Sequence, residues 1–172
     1  MSTVGPTPAA PGAQLLEELK WVHGMIRRDL GICSELARDV AAGAAPEAVQ
    51  ERVGELRANS PLWRMQVNCL RYCSFVHLHH RHEDVRLFPA LRASDPSLEP
   101  VVDRLESDHR EVAVRLEEIE IAVAVLEEDD GEAARRRVVT ALEGLGELLL
   151  AHLDYEEESI GPTLLGWAAW PR

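Results

Sequence analysis

Four long stretches of this chain carry apolar residues at helical spacing with only short breaks between them, a pattern that demands a bundle of antiparallel helices. The first stretch runs from about Ala13 to Ala42, with Leu15, Leu16, Leu19, Val22, Ile26, Leu30 and Cys33 at helical spacing, and Gly43 and Pro46 break it. A short acidic segment, Pro46 to Arg57, has room for one or two helical turns. Ser60 then reads as an N-cap and Pro61 as the first turn of a second helix, which continues to about Arg92. Ser94-Asp95-Pro96 separates it from a third, with Asp95 as the candidate cap, and the third extends to about Glu128. Asp129-Asp130-Gly131 reads as a turn. The fourth helix covers Glu132 to about Ile160, and Gly161-Pro162 is expected to end or kink it. No strand alternation competes. The expected fold is all-α: an up-down-up-down four-helix bundle over residues 13–164. A disordered tail is expected over residues 1–12, and a C-terminal tail over 165–172 in which Trp167 and Trp170 pack on the bundle end.

Composition narrows the function. A chain of 172 residues, 46% hydrophobic and 28% charged, is ordinary for one globular domain with a core. Aromatics are only 5%, and the abundant Ala, Leu, Glu and Arg favour helix. No apolar run approaches the roughly 20 residues of a membrane span. The Pro-, Ala-, Ser- and Thr-rich start lacks the basic and apolar parts of a signal peptide, so a cytoplasmic location is expected. The net charge of −12 repels nucleic acid; most of these carboxylates read as solvated surface. Cys33, Cys69 and Cys73 are an odd set, which argues against a disulfide framework. Cys69 and Cys73 share a helix face, and all three read as small core residues.

The seven histidines carry the chemistry. His79-x-x-x-Glu83-Asp84-x-x-x-x-Pro89-x-Leu91 is repeated as His152-x-x-x-Glu156-Glu157-x-x-x-x-Pro162-x-Leu164. Leu19-x-x-x-His23 corresponds likewise to Leu105-x-x-x-His109, so the chain reads as a duplicated helix pair. Residues four apart lie on one helix face a turn apart, so each His and its Glu can ligate one metal cluster. Depth gives a separate check. His23 lies about nineteen residues before the end of its helix and His79 about eighteen after the start of the next, which is roughly 28 Å of travel in each case. His79 to its helix end and helix start to His109 are both about thirteen residues; His109 and His152 flank the last turn by about nineteen and twenty. All four helices therefore bring a histidine to one slice, within about 5 Å.

Four imidazoles at one level, two paired with glutamates, are costly to bury unless a cation compensates them. Neutral imidazole suits iron, zinc or copper, and a carboxylate can bridge two metals. Four histidine nitrogens, two bridging carboxylates and an oxo or hydroxo bridge fill about ten of the roughly twelve positions on two octahedral irons. A fifth histidine or a tyrosine can fill another and leave one open for a small ligand. Tyr72, two turns before His79, reads as a packed ring rather than a ligand. His77, His80 and His82 are expected on other faces, with His77 and His82 in solvent. His80 with Asp84 repeats the His-x-x-x-acid spacing and competes in register; the equal offsets Glu83 to Pro89 and Glu156 to Pro162 favour His79 and Glu83.

At these residues the chain resembles the hemerythrin-like (HHE cation-binding) family. His79-His80-Arg81-His82-Glu83-Asp84 with Leu87-Phe88-Pro89 is similar to that family's second-helix signature, and His152-Leu153-Asp154-Tyr155-Glu156-Glu157 to its fourth. Ser107-Asp108-His109 resembles the third-helix context, and His23 the first-helix ligand. The resemblance spans about Leu15 to Leu164. It implies a di-iron centre bridged by Glu83 and Glu156, with His23, His79, His109 and His152 as further ligands. Oxygen carriers of the family have a second third-helix histidine four residues from the first; Ala113 and Leu105 stand at those positions here, as in the bacterial and sensor-type branches. The implied activity is binding of O2, H2O2 or a related molecule at an open iron position, with catalase-like peroxide decomposition. The alternative is an iron- or oxygen-sensing or iron-handling module without turnover. Neither reading involves nucleic acid or membrane, and both leave the oligomeric state open.

Overall fold

The computed structural model describes residues 10–43, 76, 78–128 and 131–171. Helix α1 is Pro11–Ala41. Helix α2, described continuously from residue 78, passes into a π-helical stretch at Glu83–Leu87 and returns to α-helix at Phe88–Ser94. A 3₁₀ turn, Pro96–Leu98, leads into α3, Glu99–Glu128, and α4 is Glu132–Leu165. No strand occurs among the described residues. The expected Pro46–Arg57 segment, the Ser60 cap, Tyr72, His77, Cys69 and Cys73 lie outside them.

Two apolar clusters define the bundle and its helix directions. One combines Leu19 of α1, Leu87, Phe88 and Leu91 of α2, Val102 and Leu105 of α3, and Ile160 and Leu164 of α4. The other combines Ile26 and Leu30 of α1, the helical Val76 just ahead of the continuous part of α2, Val112, Leu116 and Ile119 of α3, and Leu145, Leu149 and Leu153 of α4. Going from the first cluster to the second, residue numbers rise along α1 and α3 and fall along α2 and α4. The fold is therefore an antiparallel four-helix bundle, as the apolar spacing of the sequence predicts. Histidine-bearing turns lie between the two clusters on every helix.

Helix ends follow local chemistry with two departures from expectation. Asp95 caps the 3₁₀ turn by accepting from the Ser97 N–H at 2.9 Å, and Arg92 ties α2 to α3 by donating to Glu99, Asp103 and Glu106. Pro11 and Gly12, expected in the tail, form the first turn of α1. Pro162 does not end α4, which continues to Leu165. An interior proline costs about 3 kcal/mol, but burying Ile160 and Leu164 together recovers roughly 3–6 kcal/mol. The last turn closes with Gly166 and Trp167 donating to the Thr163 and Leu164 carbonyls, each at 3.0 Å. Beyond it Trp167 and Trp170 pack on the first cluster, and the Trp170 indole donates to Glu18 at 2.7 Å. Cys33 is half-buried.

At Gly12, α1 packs directly on the α4 backbone: a Cβ there would collide with the Leu165 carbonyl. Alanine's better helix propensity is worth about 1 kcal/mol, less than a forced backbone shift of about 1–3 kcal/mol. Gly12→Ala is therefore expected to lower the melting temperature, by about 2–4 °C for each kcal/mol lost, whereas Gly24→Ala, with nothing within 4 Å of its Cβ, should not.

Candidate metal centre

The polar slice between the clusters is built from all four helices. His23, Glu83, His109, His152 and Glu156 are almost wholly buried, and so is His80. On α2, His79 and Glu83 are one turn apart and their Nε2 and Oε1 atoms lie 3.1 Å apart. From α1, His23 Nε2 comes within 3.3 Å of Glu156 Oε2. His23, His79, Glu83 and Glu156 thus present ligand atoms within 4.8 Å of one another, and His80, His109 and His152 form a second such group. Both glutamates reach across the two groups. Glu83 Oε2 is 3.5 Å from His109 Nε2, and Glu156 Oε2 is 3.8 Å from His152 Nε2.

Each of three imidazoles turns its Nδ1 toward a carboxylate outside this layer. His23 Nδ1 meets Glu157 Oε1 at 2.9 Å and His109 Nδ1 meets Asp84 Oδ1 at 2.7 Å. His152 Nδ1 faces Asp108 Oδ2 at a longer 3.5 Å. A ring that donates through Nδ1 carries its lone pair on Nε2, the tautomer a metal requires. The consequence is clearest where His109 Nε2 and His152 Nε2 face each other at 3.2 Å. Two lone pairs repel at that distance, whereas nitrogens in adjacent positions on one metal, with bonds of about 2.1 Å, sit about 3 Å apart.

Orphaned atoms make the same case. His23 Nε2, His79 Nε2 and all four oxygens of Glu83 and Glu156 are buried without an aligned hydrogen-bond partner. Burying an uncompensated ion costs several kcal/mol, against a total stability of about 5–15 kcal/mol. Without a cation the groups shift accordingly. Burial pushes His79 down to about 3, and burial with the neighbouring His109 pushes His152 down to about 4 despite Glu156. Burial, the Glu156 carboxylate and Asp84 hold Glu83 well above the usual carboxylate range. Burial would raise Glu156 too, but His23, His152 and His79 outweigh it and hold it down to about 2. Without a cation the layer thus holds His79 and His152 as neutral imidazoles beside two buried carboxylates shifted in opposite directions. These donors fit cations of the iron, zinc and copper type.

The structure brings all six sequence-derived residues, His23, His79, Glu83, His109, His152 and Glu156, into this layer. His80 is the correction. It was expected on another face, but it is buried and its ring stacks on His109 with centroids 3.9 Å apart. Both registers face inward because this part of α2 borders the groups on either side. The π-helical stretch, where the Phe88 N–H bonds to the Glu83 carbonyl, adds one residue between the histidines and the apolar face of Leu87, Phe88 and Leu91. Asp84 serves the site as well, as acceptor for His109 rather than as a partner of His80. Asp84 and Glu157 each follow a site glutamate in the repeat, a signal that distinguishes them from surface acids. His82 is exposed.

A helical bundle with a buried layer of imidazoles and carboxylates defines a metal-binding bundle protein. The family model described as the hemerythrin HHE cation-binding domain matches residues 14–164. The chain belongs to the hemerythrin HHE cation-binding family, and is a cation-binding module. No curated protein and no solved structure gave a significant match. No helix among the described residues is long and apolar enough to cross a membrane.

His80→Ala is expected to strip the cation from the three-histidine group while His82→Ala leaves metal content unchanged, as read by elemental analysis of purified protein. Cation binding requires Glu83 ionised, and its affinity for protons is raised. Metal affinity should therefore rise with pH until Glu83 is ionised without help, and binding should release protons; titration calorimetry in buffers of different ionisation enthalpy measures both.

Proposed function

We propose that the two groups hold a pair of iron ions bridged by Glu83 and Glu156, and that the centre binds O2, H2O2 or a similar small molecule with catalase-like turnover of peroxide. The observation that carries this is the unequal division of nitrogen donors around shared carboxylates. Among the described residues, His80, His109 and His152 surround one position, while His23 and His79 face the other. The position with fewer nitrogens is the one at which a small ligand has room to bind. Two irons supply a reversible two-electron couple, the requirement for exchanging electrons with oxygen or peroxide.

The chain's own residues set the conditions. Glu157 and Asp84 orient His23 and His109 through their Nδ1 atoms, so that Nε2 is offered to the cation. Glu83 and Glu156 balance cationic charge inside a buried layer flanked by two apolar clusters. The clusters above and below, closed by Phe88 and Leu105 on one side and Val112 and Leu149 on the other, limit entry to small molecules. The net charge of −12 favours a diffusible small ligand over nucleic acid, and a cytoplasmic site of action is part of the same proposal.

A second reading rests on the orphaned carboxylates: a cation that binds only the folded bundle stabilises it strongly, which suits an iron-dependent sensing or handling module. Protein purified from iron-replete cells should contain two irons per chain and show the charge-transfer absorption of a bridged ferric pair. His79→Ala should lose most of both. Peroxide consumption that depends on iron favours the enzyme, and iron-dependent melting without turnover favours the sensor. Zinc in place of iron, with no visible absorption, would defeat the proposal.

A further inference from the structure

Behind the ligand layer, the carboxylate that orients His23 is itself held by a further polar cluster. Glu157 Oε1 accepts from His23 at 2.9 Å and, on the same oxygen, from the Arg27 guanidinium at 2.7 Å. The other arm of Arg27 donates to Asp154 at 2.6 Å. Arg27 and Asp154 are partly exposed, at 29% and 68%, so their pairing alone is worth little. Glu157 is different, since it sits between the surface and a wholly buried imidazole. The fork bridges α1 and α4 at the level of the centre. Arg27 lies one turn from His23, and Asp154 and Glu157 are on the facing helix.

The duplicated half lacks this arrangement. Four residues after His109, the position corresponding to Arg27 holds Ala113, and the position corresponding to Asp154 holds Arg81. Asp84, the counterpart of Glu157, accepts from His109 at 2.7 Å with its side chain 41% exposed. Water therefore reaches the acceptor of His109 directly, while the acceptor of His23 is held by a charged fork.

We infer that Arg27 is a positioning residue for one of the two metal positions, holding Glu157 against His23 so that this imidazole is fixed for the cation in the half of the bundle where fewer histidines do the holding. The inference rests on His23 being a cation ligand and on nothing about iron or peroxide. A bidentate guanidinium suits the task because it fixes Glu157 and Asp154 in one plane, which a single ammonium cannot do.

Cobalt(II) titration of the metal-free full chain, with bound equivalents resolved by visible absorption, tests this. Arg27→Gln should weaken one cobalt equivalent by about tenfold or more, the size of effect expected for the partner of a metal-binding imidazole, and leave the other unchanged. Arg27→Lys should recover part of the loss. In a Glu157→Gln background, Arg27→Gln should add less than about twofold, because its effect runs through Glu157. Should Arg27→Gln fail to fold, Asp154→Asn, a change at an exposed side chain, should give a smaller loss at the same equivalent. Wild-type binding in both variants, equal weakening of both equivalents, or a full added loss in the Glu157→Gln background would overturn the inference. A wild-type chain that binds no cobalt would remove the cation reading itself, whereas cobalt binding without iron-dependent turnover would leave this inference standing.

Discussion

Everything in this bundle is arranged around the burial of two carboxylates between apolar clusters. Glu83 and Glu156 lose nearly all contact with water, and among the described residues no lysine or arginine pairs with them. Imidazoles surround them instead, and burial keeps His79 and His152 neutral in the absence of metal. Such a layer is unfavourable as protein alone and favourable once cations enter it. The apolar clusters on either side supply the stability that tolerates it, and they also exclude the water that would otherwise dilute the electrostatics.

The two halves of the chain solve the problem in parallel. In each half, a histidine on one helix is oriented by the acid that follows the site glutamate on another: His23 by Glu157, His109 by Asp84. A duplicated helix pair folded back on itself produces this exchange naturally, because each pair presents its acid to the other pair's imidazole. The halves then diverge at the periphery. One acid is clamped by Arg27 and the other stands open to solvent.

Much of this was legible in the sequence, for reasons that differ by residue. Apolar spacing revealed the helices because every helix buries a continuous face. Counting residues from the breaks brought His23, His79, His109 and His152 to one depth because helical rise is constant. The same counting is blind to rotation, so His80 could not be placed: a π-helical stretch turns the chain without changing the letters that mark a helix. Helix α4 runs five residues past the expected Ile160, because the burial of Ile160 and Leu164 on either side of Pro162 outweighs the local propensity that the letters show. The acids behind the imidazoles were visible as repeats, but their partners lie on other helices, and only packing reveals which acid meets which ring.

The π-helical stretch also bears on how this fold can vary. Winding the same residues of Glu83–Leu87 as an ordinary α-helix would turn everything before them by about 100° relative to Leu87, Phe88 and Leu91, and His79 and His80 would lose the facing they have here. The residue absorbed in this stretch is therefore what lets both histidines border the layer: a change at the exposed Val85 or Arg86 leaves that facing intact, whereas tightening the segment into α-helix does not.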